Sequence, residues 1–168
     1  LLGIGGIFRS DLFLLLEHLK KKGLTNKLIL MPGIQTFPTP LASHSLGEIN
    51  DLISKYADKY NIKIGCADHI SGNLIEAREF PILALATGAC IIEKHFTINR
   101  SLKWEDYESA LDYKNFKIFI SNVKKYSSLL KKQGEMNEDE FRYKKKFNKI
   151  PVFKKSILKN KIIKKKHI

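Results

Sequence analysis

Cysteine, tryptophan and methionine are scarce in this chain of 168 residues, which holds two Cys, one Trp and two Met. Two thiols, Cys66 and Cys90, cannot build the disulfide framework that staples many small secreted domains. Each falls inside or beside an expected buried strand, where a free thiol behaves as a small apolar side chain, so both are read as reduced core residues. Proline is also sparse, and three of the five prolines crowd between Pro32 and Pro40. No apolar run reaches the roughly 18 residues needed to span a bilayer, so no membrane partner is expected. Leu1 to Phe8 is apolar but lacks a basic leader and a small-residue cleavage site, so it is not read as a signal peptide. There is no initiator Met and the chain opens directly on an expected strand, which leads us to expect that the beginning of the protein is missing. Acidic residues nearly vanish at the other end: Glu140 to Ile168 holds 12 Lys/Arg and one Glu, against 18 basic and 16 acidic residues before it. The net charge of +13 is therefore a property of the tail. Such a tail could bind nucleic acid or an anionic surface electrostatically. Because Lys, Ile and Asn replace other residues throughout the chain, ordinary lysine-rich surface is the preferred reading, and nucleic acid is not taken as a partner.

What is present is 43% apolar residues in an alternating pattern that suits a domain of ordinary size. Leu1 to Ile4 reads as a strand that turns at Gly5-Gly6. Ser10 or Asp11 would cap a helix from Leu12 to Lys22, closed by Gly23. Lys27 to Met31 is a second strand, and the proline-rich loop Pro32 to Pro40 follows, rigid because proline sets φ. Ser45 to Tyr60 has the i, i+3, i+4 spacing of an amphipathic helix. Ile62 to Ala67 is the third strand. Leu74 to Thr87 is the third helix, which Pro81 should kink or split. Ala89 to Glu93 is the fourth strand, and Asp112 to Lys132 the longest helix. The alternation predicts an α/β fold with a parallel sheet, either a small open sheet or half of an eight-unit barrel. After Gly134, Met136 to Tyr143 is polar and acidic and reads as a linker. Lys149 to Phe153 then starts a new strand-like segment, and Ser156 to Ile168 alternates apolar and lysine residues.

Two stretches, Gly65-Cys66-Ala67-Asp68-His69 and Ile91-Ile92-Glu93-Lys94-His95, each run from apolar residues into a carboxylate and a histidine. With a helix between them they form a βαβ unit, which places His69 and His95 at the carboxyl ends of neighbouring strands. Adjacent strands lie about 4.8 Å apart, so both imidazoles could converge on one cation. A zinc site using Cys66 and Cys90 as well is the rival, but strand alternation aims cysteines and histidines differently.

The ordered motifs Gly33-Ile34-Gln35-Thr36-Phe37-Pro38-Thr39-Pro40, Gly65-Cys66-Ala67-Asp68-His69-Ile70-Ser71-Gly72-Asn73 and Ala86-Thr87-Gly88-Ala89-Cys90-Ile91-Ile92-Glu93-Lys94-His95-Phe96-Thr97, the last continued by Arg100 to Leu111, resemble the sialic acid synthases (N-acylneuraminate synthases). The resemblance covers about residues 1 to 132, and the His95 segment is its most specific part. It implies the last four βα units of a TIM (β/α)8 barrel in residues 1–134. A linker over 135–148 and the start of a truncated antifreeze-like domain over 149–168 would follow. It further implies condensation of phosphoenolpyruvate with an N-acyl mannosamine-type sugar, in the cytoplasm, by an enzyme that is a homodimer at full length.

By the same resemblance a divalent metal, Mn²⁺, is held by His69 and His95. Asp106 would bind sugar hydroxyls, with a solvated loop acid as its other reading, and Gln35 and Phe37 would present an amide and a ring to the substrates, Phe37 reading equally as loop-packing core. Glu93 would meet the metal's waters or orient a ligand, with pairing to Lys94 or Arg100 as its other reading. Asp68 would orient a ligand histidine or cap the next helix. No residue of this chain is assigned an acid, base or nucleophilic role. Ala67 stands where the family usually has Ser, Phe37 where it has Tyr, and Trp104-Glu105 where many members have Gly-Pro. The family's phosphate-binding lysines and water-activating carboxylate belong to the first half of the barrel. The chain alone is therefore expected to be inactive, and a non-catalytic fragment or a basic-tailed binding module are the alternatives.

Overall fold

The computed structural model describes residues 1–130 and 134–167. It divides into two units, Leu1–Lys131 and Lys132–Ile168. In the first, β1 (Leu2–Gly3), β2 (Ile29–Met31) and β3 (Lys63–Ile64) pair in parallel in that order, and β4 (Cys66–Asp68) pairs in parallel with β5 (Ile92–Lys94). Backbone bonds around Gly65 join the two groups. Gly65 N–H donates to the Leu30 carbonyl at 2.8 Å and Ala67 N–H to that of Pro32 at 2.9 Å. On the other side, Cys66 N–H donates to the Ile91 carbonyl at 2.9 Å, and Cys90 N–H to that of Ile64 at 2.8 Å. The expected third strand is thus two short ladders that meet at a glycine. A Cβ on Gly65 would collide with the Met31 sulfur and the Ile91 side chain, so the close approach of both neighbouring strands requires glycine here.

Helices connect the strands as parallel pairing demands. They are α1 (Arg9–Lys21), α2 (Leu46–Leu52), α3 (Asp58–Tyr60), α4 (Glu76–Ala86) and α5 (Tyr113–Ser127). Leu12 and Leu16 of α1, Ile49 and Leu52 of α2, Ala77, Phe80 and Ala84 of α4 and Phe119 of α5 all join one core with Leu30, Ile64 and Cys66 of the strands. The apolar stripe seen in each helical stretch is what buries it.

Several boundaries differ from expectation. α1 starts at Arg9 with Phe8 as N-cap and no side-chain cap, so neither Ser10 nor Asp11 caps it; Asp11 instead lies in the first turn, where a negative charge suits the helix dipole. The stretch from Ser45 to Tyr60 is interrupted by a π-helical turn, Ile53–Ala57, before α3 ends on Asn61 in the left-handed region at φ 52°. α4 runs unbroken through Pro81, where burial of Ala77, Phe80, Pro81 and Ala84 offsets one missing backbone bond. β5 begins at Ile92, later than Ala89, so Cys90 falls outside the strand and is exposed, while Cys66 is buried. α5 begins after Asp112, whose side chain accepts the Asn115 N–H at 2.8 Å as N-cap. The last residues of that expected helix, Lys131 and Lys132, lie outside the described residues.

In the second unit, the stretch read as a linker holds a helix, α6 (Glu138–Phe147). Its N-terminus is a full capping box, in which Asn137 accepts the Glu140 N–H at 2.9 Å and Glu140 accepts the Asn137 N–H at 2.9 Å. Three acidic residues in its first turn and three lysines in its last also suit the helix dipole. Lys149 to Phe153 forms no strand among the described residues; an alternating segment without a pairing edge gains no ladder bonds. Ile168, the end of the alternating tail, lies outside the described residues. Among the described residues no helix is long and apolar enough to cross a membrane.

Leu16 is fully buried and Leu14, two residues away on the same helix, is 65% exposed. Leu16→Ala is expected to cost about 2–5 kcal/mol in urea unfolding, whereas Leu14→Ala should stay within about 0.5 kcal/mol. Equal effects would contradict this facing of α1.

Candidate active site

The register of β4 against β5 aligns Ala67 with Glu93 and Asp68 with Lys94, so His69 and His95 leave the two strands side by side. Their ring centroids lie 5.2 Å apart. The Phe37 ring sits against both, 4.3 Å from His69 and 5.5 Å from His95, edge-on to the latter. His69 is buried, and its Nδ1 lies 2.7 Å from the Ile34 carbonyl. A carbonyl only accepts, so Nδ1 carries a proton, and in the neutral ring the lone pair is on Nε2. This is the arrangement in which a metal-binding histidine is commonly held by its other nitrogen.

Two loops close around this pair. The proline-rich loop is tied down by Thr39, whose N–H donates to the His69 carbonyl at 2.8 Å and whose hydroxyl donates to the Thr36 carbonyl at 2.7 Å. The loop after β5 folds back so that Leu111 N–H reaches the His95 carbonyl at 3.0 Å. Arg100 holds that loop by donating to the carbonyls of Tyr107 at 2.7 Å, Glu108 at 3.2 Å and Ala110. Ser109, fully buried, donates its hydroxyl to the His69 carbonyl at 3.0 Å. Gly72 N–H meets the Glu108 carbonyl at 2.7 Å, and a Cβ there would strike the Ala110 carbonyl and the Arg100 guanidinium. The outcome is that Asp106, in the left-handed region at φ 57°, puts a carboxylate oxygen 3.8 Å from His95 Nδ1.

Phe37, His69, His95 and Asp106 therefore come together, while other candidates stand elsewhere. Gln35 is exposed and its amide reaches back to the Gly33 carbonyl at 3.5 Å, the outer limit of a hydrogen bond. Glu93 is exposed and, among the described residues, pairs with neither Lys94 nor Arg100. It lies on the His95 face of β5 by strand alternation. Among the described residues Asp68 makes no hydrogen bond to the His69 ring and does not cap α4, whose N-cap is Ile75 without a side-chain bond. It is wholly buried and pairs with Lys94 Nζ at 2.7 Å, because register sets those two residues opposite each other. Removing one partner of such a buried pair typically costs about 3–5 kcal/mol, since the other charge is stranded. Burial pulls the Lys94 ammonium below its ordinary value, and Asp68 opposes that pull.

Burial also lowers the His95 imidazole below its ordinary value; His69 adds to this, and Asp106 works against it. The neutral, ligand-ready ring is favoured. Burial pushes the Cys66 thiol up to about 12, which keeps it from acting as a thiolate. With Cys90 exposed, the four-ligand zinc arrangement is not assembled. Among the described residues no group of three or more His, Cys, Asp and Glu side chains is placed to hold a metal ion. Any cation here would rest on the two imidazoles, with oxygen ligands from solvent or substrate. Lys94, Arg100 and Ser109 are positions that the motifs alone did not mark as parts of this site. Arg100 and Ser109 lie in the stretch that continues the His95 motif, but the carbonyls they bond are set by tertiary folding; likewise the Lys beside His95 was visible and only its partner was not.

The NeuB family model matches residues 9–135, three quarters of the chain. The chain belongs to the NeuB family. Its relatives include a pseudaminic acid synthase of Campylobacter jejuni, 32% identical over 156 residues. That match takes in 93% of this chain but 41% of the relative, so the chain spans well under half of that protein's length. An N,N'-diacetyllegionaminic acid synthase of Legionella pneumophila is 29% identical over 107 residues, which are 64% of this chain and 28% of the relative. The crystal structure of an N-acetylneuraminic acid (sialic acid) synthetase from Leptospira borgpetersenii in complex with citrate superposes with a TM-score of 0.70 at 27% identity, over 86% of this chain and 48% of that one. This NeuB chain thus has an α/β fold with parallel strands like those of its structural neighbours, and the relatives named here are pseudaminic and legionaminic acid synthases.

A second histidine reports on burial at the same end of the sheet. His44 packs against Phe80 at 4.6 Å, its Nε2 is buried without a hydrogen-bond partner among the described residues, and burial lowers its ring below the ordinary 6.5; Asp68 opposes this, while His69 and Lys94 add to it. His44 and His95 both resist protonation when folded, so below 6.5 the unfolded chain binds more protons. Stability is then full above pH 6.5 and is lost as pH falls through the lowered folded values. The urea midpoint is expected to drop over that interval, and His44→Gln to flatten the drop; an unaltered profile in the variant would remove His44 from this account.

Proposed function

We propose that this chain forms the last four βα units of a (β/α)8 barrel and the opening of an antifreeze-like domain, in an N-acylneuraminate synthase-like enzyme of the cytoplasm. The complete enzyme would join phosphoenolpyruvate to an N-acyl mannosamine-type sugar, giving a nonulosonic acid and phosphate, and would work as a homodimer. The observation that carries the reading is the pair of imidazoles 5.2 Å apart at the carboxyl ends of adjacent parallel strands, the end where such folds bind ligands.

His69 and His95 are the residues that would hold a divalent cation, and their neutral nitrogens with oxygen co-ligands suit Mn²⁺. When bound, such an ion supplies Lewis acidity toward a carbonyl oxygen. The other roles belong to the chain itself. The Ile34 carbonyl keeps His69 in the tautomer that leaves Nε2 available. Asp106, beside His95 at 3.8 Å, is placed to accept from sugar hydroxyls and to steady that ring. Phe37 covers the two imidazoles and limits water on one side, without a tyrosine's hydroxyl. In the overall reaction the methylene carbon of phosphoenolpyruvate bonds to the sugar's aldehyde carbon, water adds at the phosphate-bearing carbon, and phosphate departs by C–O cleavage. Ala67, on the same strand face as His69, offers no hydroxyl to either substrate. Gln35 would serve the substrates only after turning away from Gly33.

Titration of the chain with Mn²⁺, followed by the loss of the free-ion electron paramagnetic signal, is expected to show one site. His69→Ala or His95→Ala should weaken it by more than the ~10–100-fold typical of losing an outer-sphere partner. Binding indifferent to both substitutions would overturn the reading. The purified chain is expected to make no nine-carbon acid from the two substrates, even with Mn²⁺; turnover would overturn the assignment of essential groups to the other half of the barrel.

A further inference from the structure

We propose that the buried Asp68–Lys94 ion pair is the device that sets the spacing of His69 and His95, an inference that rests on the cation reading above. The two residues are register partners and immediately precede the two histidines. Their side chains are 0% and 2% exposed, and strand alternation puts them on the opposite face of β4 and β5 from the imidazoles. Asp68 Oδ2 accepts from Lys94 Nζ at 2.7 Å, and Asp68 Oδ1 accepts the Ile70 N–H at 2.9 Å. Lys94 Nζ also donates to the Ile70 carbonyl at 3.2 Å. The pair therefore grips the residue after His69 by both backbone groups and is anchored on β5 one residue before His95.

A slide of β5, or a turn of the peptide planes that flank His69, would strand a buried charge. An apolar pair of similar volume often leaves a fold equally stable, so packing alone gives no reason for charge at this place. What an apolar pair cannot do is hold Ile70. Asp68 and Lys94 are thus positioning residues: they touch neither substrate nor cation, and they act through the backbone of the two strand ends.

The test uses the whole 168-residue chain. The double variant Asp68→Leu/Lys94→Met removes the charges together, and circular dichroism checks that it folds. Two measurements follow: the imidazole ¹⁵N shifts of His69 and His95 in metal-free protein, and Mn²⁺ affinity. In the folded double variant the His69 shifts should move away from a single Nδ1–H tautomer, and Mn²⁺ binding should weaken about 10–100-fold, as for other outer-sphere losses. Unchanged shifts and affinity in the folded variant would overturn the proposal and leave the pair a purely structural contact. Should the double variant fail to fold, Asp68→Glu decides, because it keeps the charge and lengthens the link by one methylene. Shifts and affinity like the wild type's in that variant would overturn the proposal equally. A wild-type chain that binds Mn²⁺ no better than His69→Ala/His95→Ala would sink the cation reading, while the metal-free shifts still decide whether the pair orients the rings.

Discussion

Parallel pairing of β4 with β5 is the constraint from which the candidate site follows. With Ala67 opposite Glu93 and Asp68 opposite Lys94, every side chain on one strand has a defined partner on the other. A slip by one residue would exchange the two faces, carrying the histidines into the core and the ion pair out of it. The buried charges make such a slip costly, since each is the other's neutralising group. Hydrophobic packing on the helix side cannot by itself impose this selectivity, because apolar contacts are non-directional.

The ends of these strands are then closed by loops whose backbone is accounted for almost group by group. Thr39 and Ser109 come from different loops and both donate to the His69 carbonyl. Arg100 spends its guanidinium on three carbonyls of the segment that carries Asp106, which allows that residue to sit at positive φ. A planar guanidinium with several donors is well suited to gathering carbonyls that would otherwise need water. The imidazoles thus stand on rigid strand ends, and the groups around them sit on loops held by named bonds.

Much of this was legible in the sequence, and the remainder was not for identifiable reasons. Four apolar strand runs and the helical periodicity between them gave the α/β alternation, and the run-then-histidine pattern singled out His69 and His95. Partners across strands were not legible, because register is a tertiary property: Asp68 was read with His69 or as a cap, yet it pairs with Lys94. Cys90 was read as buried because Ala89 to Glu93 is apolar, but the ladder starts at Ile92. The π-helical turn within Ile53–Ala57 leaves the apolar spacing of its helix intact, so periodicity could not reveal it. α6 is the opposite case, since Asn137 followed three residues later by Glu140 is a helix-start signature that its polar composition obscured.

The shared acceptor at His69 has a consequence for how this end of the molecule breathes. A carbonyl has two lone pairs, and here the Thr39 amide takes one and the Ser109 hydroxyl the other. If the His69 peptide tilts, both bonds weaken at once, so fluctuations of the proline-rich loop and of the Asp106 loop are thermodynamically linked although more than sixty residues separate them along the chain. Local opening at the mouth of the site is therefore a concerted event, with a peptide oxygen as its hinge pin.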